Sequence, residues 1–444
     1  MARIASGHGV GAAALLWACA CACGTATAGG FQLRENDVRA LGRAYAGVAS
    51  APDNPVVAIN NPGALGFLDA RIVAIDLHGV DADARFDGGG VDAAGRPVTG
   101  GDGGDPAAMA AVPALSYHQA LGERWHLGLS TSAPFGLETH YDDAWVGRYQ
   151  ALQSRLTTVE MGAALAYELN PGLSLGAGLG LRYALGTLSN AVDMGAVLAA
   201  QQVPGFAPQS ADGSAEIEGD DWVPTLTLGL LWRPREDTSL GLAWRSAADL
   251  ELDSEADFDV PANVAAVLAA GGSALFRDTD ATASIANPAT ATASLYHITA
   301  SGIGIAADVA WTGWSRFERI DVDFDNAAQP DVHEIADWRD TWYAALGVDV
   351  PVGDTWVLRA GVAYDQTPTR DEYRTPRVAD GDRNWLALGA TWAPGGAWTF
   401  DLGYAHLAFQ DDPTVDNRAA TGSTLAGSFD ASADVVGVAA RWRF

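Results

Sequence analysis

The sequence predicts an all-β fold: a transmembrane antiparallel β-barrel of about fourteen strands that closes around an N-terminal plug, here called the hatch. From Arg71 to Phe444 the chain alternates apolar and polar residues with a period of two, which is the pattern of strands. Short turns alternate with long loops, as at the two ends of an outer-membrane barrel. After Gly29 no apolar run reaches the roughly eighteen residues of a helical span, so helical membrane spans are excluded and the chain is either a soluble all-β protein or a barrel.

Residues 1–28 have the pattern of a secretory signal peptide. Arg3 is their only charged residue, Val10 to Cys23 is apolar, and Ala26-Thr27-Ala28 is a small-x-small cleavage site. The mature chain then begins at Gly29. All three cysteines lie in the discarded segment, so no disulfide framework remains. A lipoprotein site at Leu16 to Cys19 is the alternative, although it contains a bulky tryptophan.

The hatch is assigned to residues 29–70 and the barrel to residues 71–444. Gly30 to Gly66 lacks the strand period and mixes small residues, short apolar runs and two turn signals, Pro52 to Pro55 and Asn60 to Gly63. Such a backbone needs hydrogen-bond partners from its surroundings. A barrel of about fourteen strands is wider than the eight-stranded kind that side chains can fill, so its lumen is a channel or is occupied. The hatch is the available occupant.

The clearest strand runs from Leu173 to Thr187. Leucines and a tyrosine form one face, while glycine, alanine and the single Arg182 form the other. A face with such small side chains is more typical of a crowded barrel lumen than of a surface exposed to water. Aromatic residues at strand ends predict the interfacial girdles of a membrane barrel, and Phe444 ends the last strand on the same face; a soluble β-sandwich is the alternative. The girdle candidates are Trp222, Trp232, Trp356, Tyr364, Trp398 and Trp442.

Composition and motifs argue against catalysis. The net charge is −29, and every one of the 26 basic residues is arginine, so nucleic acid is not expected as a partner. The Asp321-x-Asp323-x-Asp325 run starts like a calcium loop but lacks its glycine and its bidentate glutamate. No nucleophile elbow or metalloprotease helix is present. We expect no enzyme activity, no cofactor and no metal site.

Two loop segments, Met194 to Phe206 and Val260 to Phe276, are expected to form short apolar helices. Exposed apolar surface on a loop is a liability unless something hydrophobic binds there. We therefore predict a capture groove for a hydrophobic ligand. The alternative is that the two segments pack on each other, and both can hold. The groove residues are Val197, Leu198, Phe206, Val264, Val267, Leu268 and Phe276.

Several short sequences together resemble one family of transporters. Gly30 to Leu33, Leu41 to Gly47 and Asn61-Pro62 are similar to the opening of the outer-membrane long-chain fatty acid and hydrocarbon transporters (the FadL/OmpP1/TodX family). The similarity continues at Trp311 to Phe317 and at Asp380 to Trp385. One departure is that the Asn-Pro-Ala of the family is extended here by a glycine after the proline.

The resemblance implies where the ligand travels. In this family the first segment is a hatch inside the barrel, and the third strand bends inward near the Asn61-Pro62 turn to open a gap in the wall. Here the bend falls at Pro134, Phe135 and Gly136, which interrupt the strand ladder as a bulge would. The resemblance also implies that the apolar loops form the groove where a hydrophobic ligand first binds.

The expected function is passive transport of long-chain fatty acids or hydrocarbons across the outer membrane, with lateral exit through that gap. Phe31 and Leu33 of the hatch are expected to line the lumen. A fatty acid needs an arginine for its carboxylate, and Arg182 and Arg359 are the candidates; structural pairing with lumen acids is the alternative. A general diffusion porin is the alternative function, and a lipid hydrolase or an adhesive barrel is less favoured.

The expected location is the outer membrane of a Gram-negative bacterium, reached through the signal peptide. Expected partners are a hydrophobic small molecule, outer-membrane lipid, and lipopolysaccharide bridged to acidic loops by divalent cations. The terminal Phe444 resembles the signal that outer-membrane barrels present to the barrel assembly machinery. A monomer is expected.

Overall fold

One antiparallel sheet dominates the described residues, 29–51, 54–107 and 109–444, of this computed structural model. The predicted signal peptide lies outside them. The strands are β1 (Ile72–Val91), β2 (Ala110–Ala120), β3 (Trp125–Ser132), β4 (Gly136–His140), β5 (Gln153–Asn170), β6 (Leu173–Asp193), β7 (Asp212–Arg235), β8 (Thr238–Arg245), β9 (Ala248–Asp259), β10 (Thr279–Asn287), β11 (Thr290–Ile298), β12 (Gly304–Thr312), β13 (Arg319–Phe324), β14 (Val332–Ile335), β15 (Thr341–Val352), β16 (Trp356–Asp365), β17 (Arg383–Trp392), β18 (Trp398–Phe409), β19 (Thr414–Arg418) and β20 (Thr424–Arg443).

The sheet closes on itself because its last strand pairs with its first. The ladder between β1 and β20 runs without a break from Ile72↔Arg443 to Val91↔Thr424. Some strands are interrupted, and a second segment continues the first at the same position in the barrel: β4 continues β3, β9 continues β8, and β13 continues β12. The result is a closed barrel of 14 strands, which confirms the predicted fold class.

The outer face of the barrel carries the apolar residues that the strand period predicts. Side chains along β15 alternate between buried and exposed through most of its length. The six predicted girdle aromatics are all exposed on this face. Phe444 is exposed beside Trp442, with ring centroids 4.3 Å apart, and its amide donates to the Arg71 carbonyl at 3.0 Å. These positions match aromatic girdles facing lipid.

The strands extend farther than the sequence indicates. The sequence predicts long loops at 81–108, 189–219 and 253–287, but each of these segments begins as strand: β1 reaches Val91, β6 reaches Asp193 and β9 reaches Asp259. In β9, Leu250 and Leu252 are buried whereas Glu251 and Asp253 between them are exposed. Acidic residues on a water-facing side do not interrupt strand pairing, so charge is a poor marker of where these strands end.

The segment before β1 touches strands around the ring. A helix at Val38–Leu41 packs on β1, β17, β18 and β20, whereas a 3₁₀-helix at Pro62–Phe67 packs on β3 and on β5 to β8. Asp37 caps the first helix by accepting from the amides of Arg39 and Ala40. A third helix lies between them at Val57–Asn60. Because these elements contact opposite walls, the described residues 30–51 and 54–68 lie within the ring.

Glycines make room for this segment on the inner wall. A methyl group at Gly229 would overlap Asn61 Oδ1, and one at Gly176 would overlap Pro62. A methyl group at Gly361 would overlap the backbone of Arg43. The small face predicted for the strand at 173–187 therefore contacts the hatch at Gly176. Other wall glycines in close contact with the hatch are Gly128, Gly241, Gly347, Gly389, Gly403 and Gly437.

Candidate ligand cavity and lateral gap

The barrel wall is interrupted between β2 and β4. The β2–β3 ladder ends at Leu115↔Thr131, although β2 continues to pair with β1 as far as Ala110. The β4 strand pairs with β5, and a bridge between Ala107 and Thr139 marks the far end of the interruption. Pro134 contributes to the break because it has no amide hydrogen for a ladder. We call this interruption, beside 133–135, the lateral gap.

The hatch is hydrogen-bonded to the inner side of the lateral gap. The Leu33 amide donates to the Pro134 carbonyl at 2.9 Å, and the Gly136 amide donates to the Phe31 carbonyl at 2.9 Å. Gln32 and Phe135 form an isolated antiparallel bridge between these two bonds. Residues 31–33 thus replace the missing strand neighbour, so the sequence-predicted hatch and gap residues meet in one place.

Phe31 borders an apolar cavity. The space between its lining atoms, with the open solvent at its mouth included, is about 810 Å³. Side chains from several strands form its wall, among them β5, β6, β9 and β10, and the segment 369–378 contributes polar groups, which we call the polar end of the cavity. An elongated ligand with one polar end matches a cavity that has an apolar wall and one group of polar side chains. The main lining residues are Leu156, Leu188, Leu252, Ile285, Trp338, Thr369, Tyr373, Arg374 and Arg377.

Phe31 lines the cavity within a cluster of aromatic rings, which we call the floor of the cavity. Its ring centroid lies 4.7 Å from that of Trp314, 5.4 Å from those of Phe317 and Trp338, and 5.9 Å from that of Phe135. Edge-on and tilted contacts at such distances are favourable for aromatic rings. One side chain therefore belongs to the hatch, the cavity and the gap.

Two arginines at the polar end were not anticipated from the sequence. Arg374 Nη1 lies 2.8 Å from the carboxylate of Asp371, which is 79% exposed, and donates to the Thr414 carbonyl at 2.7 Å. Arg377 Nε donates to Glu334 at 3.0 Å. Both guanidinium groups are largely buried. The available signal was the spacing of three arginines at 370, 374 and 377 within one loop.

The predicted carboxylate partners, Arg182 and Arg359, lie elsewhere. Arg182 donates twice to Glu160 Oε2, at 3.0 Å from Nε and 2.8 Å from Nη2. Arg359 Nε lies 3.2 Å from the carboxylate of Asp349. Neither arginine borders the cavity. This geometry favours the alternative, structural pairing with lumen acids.

Ion pairs join the hatch to the inner wall. Arg39 Nε lies 3.1 Å from Asp401, and Arg43 Nη1 lies 2.6 Å from Asp349. All four side chains are buried. Breaking a buried pair by removing one partner costs about 3–5 kcal/mol, so these contacts hold the helix at Val38–Leu41 and the turn after it in place.

The Asn61-Pro62 turn is fixed by hydrogen bonds of the asparagine side chain. Asn61 Nδ2 donates to the carbonyls of Ala49, at 2.6 Å, and Leu230, at 3.0 Å. Its Oδ1 accepts from the Gly63 amide at 3.0 Å, and Pro62 follows at the first helical position. The turn therefore connects the hatch to strand β7 of the wall.

The two apolar loop helices pack on each other. They span Met194–Ala200 and Ala262–Ala270. Leu198 and Val264 are buried in one cluster that both helices share. The alternative that the segments cover one another is therefore realised. The other predicted groove residues in that cluster are Val197, Phe206, Val267, Leu268 and Phe276, of which Val197, Phe206 and Val267 are only partly buried.

Within 29–51, 54–107 and 109–444, no group of three or more histidine or acidic side chains is arranged to hold a metal ion. No helix in the same ranges has the length and apolar character needed to cross a membrane.

Comparison with known proteins relates nearly the whole chain to one group. Residues 19–444 match the family model described as outer membrane protein transport protein (OMPP1/FadL/TodX). Outer membrane protein P1 of Haemophilus influenzae is 27% identical over 452 residues, covering 94% of this chain and 95% of the relative. A long-chain fatty acid transport protein of Escherichia coli O6:H1 is 25% identical over 390 residues, covering 85% of this chain and 86% of the relative.

Solved structures agree with the fold. The crystal structure of a Pseudomonas aeruginosa FadL homologue superposes with a TM-score of 0.88 at 27% identity, covering 94% of this chain and 100% of the other. The Ralstonia pickettii toluene transporter TbuX superposes with a TM-score of 0.63 at 18% identity, covering 92% and 99%. At this lower sequence identity, the structural similarity supports the fold alone.

Proposed function

Because the chain belongs to the outer membrane protein transport family (OMPP1/FadL/TodX), we propose that it moves hydrophobic compounds by passive diffusion and releases them sideways through the lateral gap. Transport of hydrophobic compounds across the outer membrane of Gram-negative bacteria is the function of the family. The route and the absence of an energy source are the proposal. We assign no enzymatic role to the barrel.

One observation carries the proposal: Phe31 lines the cavity, and the backbone of Phe31 is hydrogen-bonded to the rim of the lateral gap. A ligand that displaces Phe31 also loosens the two hydrogen bonds that join residues 31–33 to Pro134 and Gly136. Entry of ligand and opening of the gap are then one event. The rest of the hatch can stay in place, since buried ion pairs at Arg39 and Arg43 hold it.

The hydrophobic effect favours a sideways exit. Each methylene exposed to water costs about 0.8 kcal/mol, so releasing a long acyl chain into the periplasm would cost on the order of 10 kcal/mol. Lateral movement into the bilayer keeps the chain in an apolar environment throughout. Downstream consumption of the ligand is then sufficient to maintain the flux.

The polar end of the cavity favours a ligand with an anionic head. Arg374 and Arg377 border it, and the carboxylate partner of Arg374 is the exposed Asp371, which a ligand carboxylate can replace. Charge-assisted bonds from arginine to carboxylate are among the stronger hydrogen bonds in proteins. We therefore favour long-chain fatty acids over neutral hydrocarbons as the ligand.

The surface of the barrel supports the other expected partners, which are lipopolysaccharide and the barrel assembly machinery. Acidic side chains lie directly opposite one another on β7 and β9, at Glu216↔Asp257, Glu218↔Glu255 and Asp220↔Asp253. Like charges in cross-strand pairs are destabilising, and divalent cations that also bind lipopolysaccharide phosphates would relieve them. The exposed Phe444 supports recognition by the barrel assembly machinery. The first and last strands pair with each other and so offer no free edge to a second copy, which favours a monomer.

A disulfide across the gap tests the route. Gln32 and Phe135 face each other as a non-hydrogen-bonded antiparallel pair, whose Cα atoms lie about 4.5 Å apart, a spacing that a disulfide can bridge. In cells that lack other transporters of this kind, oxidised Gln32→Cys/Phe135→Cys should lose uptake of labelled oleate, and reduction should restore it. The control is Asp416→Cys/Ala426→Cys, a pair in the β19–β20 hairpin.

The outcomes separate the possibilities. Loss of uptake in the oxidised gap variant alone supports release through the gap. Equal uptake before and after reduction contradicts the lateral route. Saturable binding of oleate by the purified protein should accompany uptake; large steady conductance in a planar bilayer without such binding would replace the proposal with a diffusion porin.

A further inference from the structure

The first two described residues are bound by carboxylates from distant parts of the chain. The Gly29 nitrogen lies 3.3 Å from Asp365 Oδ2, and the Gly30 amide donates to Asp380 Oδ2 at 2.8 Å. Gly29, Gly30 and both aspartates are buried. Asp365 ends β16, and Asp380 lies in the segment that leads to β17. The start of the hatch is therefore held in a buried acidic pocket.

The pocket is short of positive charge. Asp365 and Asp380 both form ion pairs with Arg383, at 3.2 Å from Nη2 and 3.1 Å from Nη1, so two buried carboxylates share one guanidinium group. Burial raises the pKa of Asp380 above its ordinary value, although Arg383, Thr367 and the Gly30 amide oppose the rise. A buried carboxylate without a full counter-charge is costly. A second cation in this pocket would therefore be stabilising.

We propose that removal of residues 1–28 supplies this cation: the new α-ammonium group of Gly29 pairs with Asp365 and Asp380 and locks the start of the hatch in place. A leader peptidase hydrolyses the Ala28–Gly29 bond, and one water is consumed. The Ala28 carbonyl becomes a carboxylate, and the Gly29 nitrogen becomes a primary amine. The pKa of such an amine is about 8, so it is protonated at neutral pH.

The surrounding shape fits a chain that starts at Gly29. Gly30 has a φ of 67°, and a side chain there would bring its Cβ within 2.5 Å of the Trp338 ring. A side chain at Gly29 would approach the Gln366 carbonyl at 3.2 Å. Only glycine meets both demands at position 30. The pocket thus accepts two bare residues and delivers the third, Phe31, to the aromatic floor of the cavity.

The consequence is a maturation step built into the hatch. In the precursor the Gly29 nitrogen is an amide, which carries no charge, and the acidic pocket stays under-compensated. In the mature protein the ion pair anchors the residue two positions before Phe31. Phe31 and Leu33 then reach their hydrogen bonds with the lateral gap from a fixed origin. Cleavage would therefore complete the closed state of the gap as well as release the leader.

The sequence makes the test selective. The chain has no lysine, since all 26 basic residues are arginine, so the α-amine is the one primary amine of the mature protein. Mass spectrometry of protein extracted from outer membranes should first give a chain that starts at Gly29; any other start overturns the proposal. For folding studies, the chain is produced with a removable leader and a protease that leaves Gly29 at the N-terminus.

Amine labelling then measures how well the group is held. The folded mature protein in detergent should react with an N-hydroxysuccinimide ester about tenfold more slowly than the Asp365→Asn or Asp380→Asn variant, because the paired amine reacts only when the terminus opens. Asp412→Asn, which alters an exposed loop carboxylate, should react like the wild type. Equal rates in wild type and both pocket variants overturn the ion pair.

A thermodynamic cycle distinguishes pairing from simple burial. The mature chain is acetylated at its α-amine while unfolded, refolded, and compared with the unmodified chain, each with Asp365 and with Asn at that position. If the charges interact, acetylation lowers the midpoint of denaturant unfolding in the Asp365 protein and leaves the Asn protein nearly unchanged. Equal shifts in both backgrounds would show that the amine is buried without pairing and would overturn the proposal.

Discussion

The backbone of Leu33 donates a 2.9 Å hydrogen bond to the carbonyl of Pro134, and this bond joins the hatch to the one place where the wall lacks its ladder between β2 and β4. Pro134 has no amide hydrogen to donate to the hatch, so few hydrogen bonds form this contact. By contrast, the later part of the hatch is held by buried ion pairs at Arg39 and Arg43. The contact at the gap is therefore the weaker of the two attachments.

We predict that Phe31→Ala weakens ligand binding. The ring lines the cavity, and losing about 40 Å² of apolar contact with a ligand costs about 1 kcal/mol, or roughly fivefold in the dissociation constant for oleate. Quenching of tryptophan fluorescence can follow the titration, since Trp314 and Trp338 surround the site. Phe86→Ala, which removes a buried ring from another cluster, is the control. Unchanged affinity in Phe31→Ala would place the ligand elsewhere.

We predict that Gly229→Ala displaces the hatch. The new methyl group would overlap Asn61 and the turn at Pro62, and overpacking of this kind costs typically about 1–3 kcal/mol. The midpoint of unfolding in urea should fall, and conductance in a planar bilayer should rise as the hatch shifts. Gly79→Ala is the matched control because its methyl group would approach no closer than 3.9 Å to any group. If both variants behave alike, the glycine surface does not seat the hatch.

We predict that Arg374→Ala discriminates between ligands. The variant should bind oleate about tenfold more weakly, as expected for loss of a charge-assisted hydrogen bond of about 1.5 kcal/mol, while the affinity for hexadecane stays the same. Calorimetric titration of both ligands measures the difference. Arg370→Ala, which removes an exposed arginine paired with Asp337, should change neither affinity. A parallel loss for both ligands would show a structural role for Arg374.

We predict that the loop following β1 loosens in acid. Burial acts to raise the pKa of Asp92, but hydrogen bonds from Arg96, Gln209 and Ala94 outweigh it and lower the pKa to about 2. The folded pKa thus lies below the unfolded value of about 3.9, so the stabilisation is present above that value and is lost as the pH falls toward 2. Pepsin should therefore cleave within 92–107 faster as the pH is lowered across this window.

Asp92→Asn provides the control for that experiment. It lacks the ionised form, so its cleavage should be fast and nearly independent of pH after correction for the activity of pepsin on an unfolded substrate. A wild-type profile as flat as that of the variant would mean that Asp92 does not hold the loop.

The barrel could be predicted from the sequence because its period is local. Alternation indicates strands, and its absence marks residues 29–70 as a different element. The pair Glu160↔Arg182 could also have been predicted, because the short turn at Asn170 to Gly172 fixes the register of the β5–β6 hairpin. Parity along the strand shows only that Arg182 faces inward, so a ligand carboxylate and a lumen acid were both open as its partner.

The polar end of the cavity could not be predicted in this way. Arg374 and Arg377 lie in an irregular segment, where no period relates sequence position to direction. Their places depend on contacts with the Thr414 carbonyl and with Glu334, which lie far away in the sequence. The predicted strand lengths were wrong for another reason. Acidic segments beyond the membrane have the composition of loops, although they remain paired in strand ladders.

The ion pairs between hatch and wall determine what an emptied barrel would be. Arg39 and Arg43 bring positive charge to Asp401 and Asp349 of the wall. A barrel from which residues 29–70 had been removed would keep those carboxylates and lose these two arginines. It would also lose the four acidic residues of that range, while Arg441 and Arg359 of the wall would stay beside Asp401 and Asp349. Emptying the barrel would therefore open the conduit without leaving these wall carboxylates bare.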